Sequence, residues 1–185
     1  MLTIVASEKL AYLTKEWNPA ETRSFDVLRY QYAVTLNFVS YVGLAAIGGL
    51  LTGHFAETML AAGSFTLLRV FSGGFHFRSL DVCAIVTAAI FVAIPLLVAG
   101  PLAGYTALLT ATAAVLVATR APTNLQNTQW VRGSDCTRLA TVKRAYKAIA
   151  VAIVLTNFIV DSDVMALAFI TQALLLLPRR EVSVQ

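Results

Sequence analysis

The residues with the clearest chemical potential lie in one short stretch, Arg69 to Cys83. This stretch contains one histidine, one cysteine, two arginines and a glycine pair. A cysteine becomes an effective nucleophile when a neighbouring base or a positive environment favours its thiolate. His76 is the candidate for that base and Cys83 is the candidate nucleophile. The stretch therefore indicates covalent catalysis by a cysteine.

The spacing of His76 and Cys83 limits how the two side chains can meet. They are seven residues apart, which corresponds to about 10.5 Å along the axis of one straight helix. Proton transfer requires about 3 Å between the two groups. A pair within one chain therefore needs a bend in the backbone, for which Gly73-Gly74 provides freedom. A pair shared between two subunits is the competing arrangement.

The residues around Cys83 predict the start of a helix. Ser79 is a candidate N-cap, and Asp81 would lie in the first turn. Cys83 would then lie near the N-terminus of that helix, where the helix dipole favours a thiolate.

A second function class remains open from the residue types alone. A cysteine within an apolar helix is most often a small packing residue. The alternative to an enzyme is therefore a small membrane transporter or scaffold protein in which His76 and Cys83 only pack. A metal site is not expected, because the sequence lacks a second pair of ligand residues at the spacing that such sites use. No cofactor is expected.

Composition identifies the kind of environment that these residues occupy. The chain has 185 residues, of which 58% are hydrophobic and 13% charged, whereas ordinary globular domains have about 25% charged residues. So little charge cannot cover a soluble surface. Two cysteines exclude a disulfide-rich scaffold. An integral membrane protein is the class that remains.

The apolar runs predict an all-α, polytopic membrane helix bundle with about six transmembrane helices. We expect these helices in a single domain, residues 1–185. The runs lie at about residues 30–52, 55–71, 82–99, 102–119, 145–160 and 164–177. A perpendicular span takes about 20 apolar residues, so the second, fifth and sixth runs are short. An amphipathic helix over residues 1–17 precedes them, because its apolar residues recur at spacings of three and four. Such a helix lies either in the membrane interface or against the bundle.

The basic residues assign sides to the predicted spans. All 14 Lys and Arg residues lie before the first span, in the 69–81 and 120–144 connections or at their flanks, or after the sixth span. The other connections carry the acidic residues Glu57, Asp161 and Asp163 and no basic residue. The positive-inside rule therefore predicts a multi-pass protein of the cell membrane with both termini in the cytoplasm. The net charge of +4 is a topology signal and not the signature of a nucleic-acid partner.

The stretch from Arg69 to Cys83 resembles the signature of the AgrB (accessory gene regulator B) family of bacterial membrane cysteine endopeptidases. That signature has an arginine, a glycine-containing turn, a histidine and, seven positions later, a cysteine. Arg69, Gly73-Gly74, His76 and Cys83 match it. The fourth apolar run ends in Ala121-Pro122 before a basic loop, which is similar to the family's pattern. This loop has mostly arginines where the family often has a lysine run.

The resemblance implies an enzyme that processes an AgrD-like precursor peptide into a cyclic quorum-sensing autoinducing peptide. His76 and Cys83 would be catalytic, the 69–81 connection would be the cytoplasmic active-site segment, and the enzyme would be a homodimer in the lipid bilayer. Arg69, Gly73 and Gly74 would stabilise the oxyanion or position the substrate.

The remaining site residues have less specific signals. The 120–144 basic loop and its flank would bind the acidic tail of the precursor or anionic lipid. Its candidate residues are Arg132, Arg138, Lys143 and Arg144. Ser72, Asp81 and Asn124 are candidates for a third catalytic residue, and the sequence does not select among them.

Overall fold

The computed structural model describes residues 2–19, 24–74, 79–100, 104–123 and 136–177, without side-chain detail at 2 and 136–138. Within these ranges every regular element is a helix, which confirms the all-α prediction. The helices are α1 (Leu2–Trp17), α2 (Phe25–Thr52), α3 (Phe55–Ser72), α4 (Leu80–Val98), α5 (Thr106–Arg120), α6 (Cys136–Leu155), α7 (Asn157–Val160) and α8 (Asp163–Leu174).

Each of the six predicted apolar runs coincides with helical structure, with two corrections. Helix α6 begins at Cys136, so the last nine residues of the predicted 120–144 loop are helical. Leu139, Val142 and Tyr146 recur at helical spacing there and are partly buried, so the helix extends into the basic segment. The fifth run is also divided, because α6 ends at Leu155 and the short α7 follows.

Among the described residues, two helices are long and apolar enough to cross a membrane, namely α2 with 28 residues and α4 with 19. At about 1.5 Å per residue, the length of α4 is close to the thickness of a hydrocarbon core, about 30 Å, and α2 is longer. Helices α5 and α8 are apolar but shorter. Six crossings therefore stay a prediction, as does the single domain.

The described residues divide into two compact units, the first formed by residues up to Met59 and those of 79–92. In this unit α1 packs along α2, and Ser7 and Ala11 are fully buried on α1. Elsewhere on the helix, Val5, Tyr12 and Trp17 are exposed. Helix α1 is therefore packed on α2, with Ser7 and Ala11 buried, while Val5 and Trp17 of its predicted apolar face stay exposed.

Helix α2 buries a stripe with four-residue spacing, Asn37, Tyr41, Ala45 and Gly49. The Tyr41 ring contacts the Phe91 ring of α4 edge-on, with 5.8 Å between centroids. Gly49 allows α3 to approach, since a Cβ there would lie 3.1 Å from the Phe55 Cα. The helix ends at Gly53, whose φ of 75° is left-handed.

The second unit contains residues 60–74 and those from 93 onwards, with α5 packed between α6 and α8. Its core combines residues from four helices and the segments that follow them. These are Leu68, Ala113, Val117, Ala121, Ala150, Val154, Phe169, Ala173 and Leu176. The core holds the C-terminal end of α3 against α5 and α8, and this end carries the arginine and the glycine pair.

A buried amide stabilises the other end of the same unit. Asn157 is fully buried, and its side chain donates to Thr110 Oγ1 at 2.9 Å and to the Ser162 carbonyl at 3.1 Å. It also accepts from the Ser162 N–H at 3.2 Å. Both donors and the oxygen of this amide thus have partners in α5 and at the start of α8, which fixes the α7–α8 turn.

Candidate functional site

The candidate nucleophile lies in the first turn of α4, as the sequence predicts. Ser79 precedes the helix, its carbonyl accepts from the Cys83 N–H at 3.0 Å, and its Oγ accepts weakly from the Val82 N–H at 3.5 Å. Asp81 lies in the same turn. Cys83 is therefore at the end of the helix where backbone N–H groups and the dipole favour negative charge on a side chain.

The Cys83 side chain is a free thiol and is 6% exposed. Its Sγ is 4.0 Å from the Thr87 Oγ1, one turn further along α4. Burial restricts access of water to the sulfur, which suits a thioester intermediate that must not be hydrolysed. The same burial suits a cysteine that only packs.

Asp81 ties the first turn of α4 to the start of α1. Its carboxylate accepts from the Thr3 N–H at 3.1 Å and from the Thr3 hydroxyl. These contacts join two helices of the same unit within two residues of Cys83. Asp81 therefore supports the helix that carries the thiol, a contact that the sequence does not reveal.

The glycine pair follows directly after Ser72, the last residue of α3. Gly73 has φ 71° and Gly74 has φ 144°, values that glycine adopts far more readily than other residues. The Gly73 N–H donates to the Arg69 carbonyl at 2.9 Å, which closes the last turn. Arg69 and both glycines are thus part of one helix terminus.

Gln172 of α8 holds this terminus, and the sequence analysis does not single it out. It is fully buried. Its Nε2 donates to the Gly73 carbonyl at 2.6 Å and to the Ser72 Oγ at 3.0 Å. Its Oε1 accepts from the Arg69 Nη1 at 3.2 Å. The available signal is an amide within the apolar run 164–177, because buried amides require hydrogen-bond partners.

The segment after α5 lies directly beside the glycine pair. The Thr123 N–H donates to the Ser72 carbonyl at 3.0 Å, and a Cβ on Gly73 would lie 2.4 Å from the Thr123 carbonyl oxygen. Thr123 follows the Ala121-Pro122 peptide, which is cis. The two sequence features that carry the family resemblance, the glycine turn and Ala121-Pro122, are therefore neighbours within one unit.

The structure leaves several predicted site residues outside its description. His76, Asn124 and Arg132 lie outside the described residues, as does the side chain of Arg138. The predicted geometry of the His76–Cys83 pair therefore stays a prediction. Of the candidate third residues, Ser72 contacts Gln172 and Asp81 contacts Thr3.

The remaining candidate residues of the basic segment lie on α6. Lys143 is partly buried and Arg144 is exposed. Within the described ranges, no group of three histidine, cysteine or acidic side chains lies close enough together to hold a metal ion.

Comparison with known proteins decides the family. The model of the AgrB (accessory gene regulator B) family matches residues 7–177, which include every described helix except the start of α1. The chain belongs to the AgrB family. A curated relative from Halalkalibacterium halodurans, described as AgrB-like, is 32% identical over 85 residues. This match covers 46% of the chain and 43% of the relative, so it spans less than half of the relative's length. No solved structure matches the chain.

Members of the AgrB family are membrane proteins. The two apolar helices α2 and α4 agree with that location.

Proposed function

We propose that this AgrB-family protein is a membrane-embedded cysteine endopeptidase that removes the C-terminal tail of an AgrD-like precursor and cyclises the remainder. The observation that supports the proposal is the position of Cys83 in the first turn of α4, directly after the Ser79 cap. Cys83 is also the residue that matches the cysteine of the family signature.

The proposed reaction has two acyl transfers. The Cys83 Sγ attacks the carbonyl at the end of the ring-forming segment, and His76 accepts the thiol proton. The peptide C–N bond then breaks, His76 protonates the leaving amine, and the acidic tail departs. The precursor remains bound through a thioester to Cys83.

An internal cysteine or serine of the precursor completes the cycle. Its thiol or hydroxyl attacks the thioester, the bond to Cys83 breaks, and the proton returns through His76 to the Cys83 sulfur. The product is a thiolactone or lactone autoinducing peptide. Each step exchanges one acyl bond for another, so exclusion of water from the buried thiol preserves the intermediate.

Six membrane crossings, cytoplasmic termini and a homodimer complete the proposal. The sidedness of all 14 basic residues supports the topology. In this arrangement Lys143 and Arg144 face the cytoplasm, where they would bind the acidic tail or anionic lipid. Arg132 and Arg138 would join them.

The proposed thioester gives a direct test. Full-length protein incubated with precursor should form a covalent adduct that hydroxylamine releases and that Cys83→Ala abolishes. The variant Cys136→Ala is the matched control, since it removes the other cysteine. An adduct that persists in Cys83→Ala would refute the proposed nucleophile.

Mixed subunits distinguish the two arrangements of the catalytic pair. Co-expression of His76→Ala chains with Cys83→Ala chains should restore cleavage if two subunits share the pair. If each chain contains a complete pair, the mixture stays inactive.

A non-catalytic transporter or scaffold is the second candidate, and the burial of Cys83 against Thr87 favours it. A thiol-reactive probe at neutral pH separates the two functions. An enzyme should be trapped at Cys83 much faster than at Cys136, whereas equal slow labelling favours a packing role.

A further inference from the structure

The fully buried Gln172 connects three groups at the end of α3, namely the Arg69 side chain, the Ser72 hydroxyl and the Gly73 carbonyl. We infer that Gln172 is a positioning residue that sets the Gly73–Gly74 backbone and the Arg69 side chain in the geometry used for processing. The inference rests on the proposed function, because it assigns these groups a task in it.

The hydrogen bonds of Gln172 use both ends of its amide. The Nε2 donates to the Gly73 carbonyl at 2.6 Å and to the Ser72 hydroxyl at 3.0 Å, while the Oε1 accepts from Arg69 at 3.2 Å. Both amide hydrogens and the amide oxygen are therefore engaged at once. A carboxylate in the same place could accept from Arg69 but could not donate to the Gly73 carbonyl.

The packing around Gln172 leaves little room for a side chain on the facing backbone. A Cβ on Gly74 would lie 3.1 Å from the Gln172 Nε2 and 3.5 Å from the Arg69 Nη1. The amide therefore rests directly against the Gly74 backbone. Two residues with left-handed φ values would sample other conformations if this contact were lost, because glycine backbones are the least restricted.

The hydrogen bonds of Gln172 differ from those of an ordinary core amide in the part of the chain that they fix. A core amide such as Asn157 joins α5 to the α7–α8 turn, and its loss weakens the fold. Gln172 instead holds the last turn of α3 and the glycine pair that follows it, which together carry three residues of the family signature. Preorganised backbone dipoles lower an activation barrier because they need not reorient during the reaction.

Two variants separate the roles of the amide. Gln172→Leu removes all of its hydrogen bonds, and Gln172→Glu keeps an acceptor for Arg69 but removes the donor to the Gly73 carbonyl. Asn157→Leu is the matched control, because it deletes another fully buried amide of the same unit, whose partner Ser162 precedes Gln172 along α8 by ten residues, or about 15 Å.

The kinetic experiment measures tail cleavage of an AgrD-like precursor by full-length protein in membranes, normalised to folded protein. Both Gln172 variants should lower kcat about tenfold to a hundredfold, the fold-change of one lost buried hydrogen bond in the transition state, with little change in KM. Asn157→Leu should lower the amount of folded protein but leave kcat per folded molecule unchanged. Equal kcat in Gln172→Leu and the wild type would overturn the inference.

A second readout does not depend on enzyme activity. Hydrogen exchange of the amides in residues 70–74 should accelerate about tenfold or more in Gln172→Leu relative to the wild type and to Asn157→Leu. Unchanged exchange would overturn the inference even if the protein cleaves precursor. If the wild-type protein cleaves no precursor but exchange is faster in Gln172→Leu, the result would uphold the contact and refute the proposed function.

Discussion

At the residue scale, close approach is what makes Gly73 special. Its φ of 71° lies in the left-handed region, and the Thr123 carbonyl oxygen lies where a Cβ would project. A backbone oxygen cannot move aside as the end of a flexible side chain can. The requirement for glycine therefore comes from the tertiary contact with Thr123 as much as from the turn itself.

Gly73→Ala should destabilise the protein by about 2–4 kcal/mol, because the new methyl group adds overlap to an unfavourable φ. The thermal midpoint of the solubilised protein measures this effect. Gly63→Ala within α3 is the control, since no atom beyond the helix's own backbone lies within 4 Å of its Cβ position. Gly63→Ala should be neutral or stabilising by about 0.5–1 kcal/mol. Similar midpoints for both variants would show that Thr123 does not constrain Gly73.

At the element scale, two contacts between helices are expected to contribute very differently to the free energy of folding. Asp81 joins α4 to the first turn of α1 through two hydrogen bonds. Glu8 joins α1 to α2 through an ion pair with Arg29 at 3.0 Å, and both of these side chains are about half exposed. Exposed ion pairs contribute about 0–1 kcal/mol, whereas hydrogen bonds to a charged group contribute about 1.5–3 kcal/mol.

Asp81→Ala should therefore release the start of α1, and Glu8→Ala should not. Hydrogen exchange of the amides in residues 3–7 is the measurement. We expect an increase of about tenfold in Asp81→Ala and less than about threefold in Glu8→Ala. The account of α1 would be wrong if the two variants exchanged at the same rate.

Helix α6 carries the second element-scale prediction, which concerns charge. The double reversal Lys143→Glu with Arg144→Glu should slow processing of a precursor with an acidic tail by about thirtyfold or more, because about 1 kcal/mol per basic residue is lost and repulsion is added. A precursor with a basic tail should be processed better by this variant than by the wild type. Lys9→Glu on α1 is the control reversal.

This charge-reversal experiment distinguishes the two proposed ligands of the basic residues on α6, the acidic tail and anionic lipid. If the basic-tailed precursor does not restore processing, Lys143 and Arg144 bind lipid or orient the chain and do not bind the tail.

At the scale of the whole molecule, the sequence predicts helices well where a run of apolar residues is continuous. The six apolar runs coincide with helices because a helix in an apolar environment must satisfy its own backbone. The start of α6 at Cys136 is missed, because the basic residues there mask the spacing of Leu139, Val142 and Tyr146. Gln172 is missed because its partners lie about a hundred residues away, and local pattern carries no such information.

Sidedness is the whole-molecule prediction. Single-cysteine variants made in a background without Cys83 and Cys136 can be tested with a membrane-impermeant maleimide on intact cells. Glu57→Cys and Tyr105→Cys, both at exposed positions, should label from outside. Arg120→Cys should label only after the cells are permeabilised. Labelling of Arg120→Cys in intact cells would contradict the six-span topology.

Cleavage of a co-expressed AgrD-like precursor tests the central claim most directly. Mass spectrometry of the peptide products should show a released tail with the wild type and with Cys136→Ala. Cys83→Ala, at equal amounts of membrane-inserted protein, should release none, because the acyl transfer begins at that sulfur. Tail release by Cys83→Ala at the wild-type rate would contradict the account.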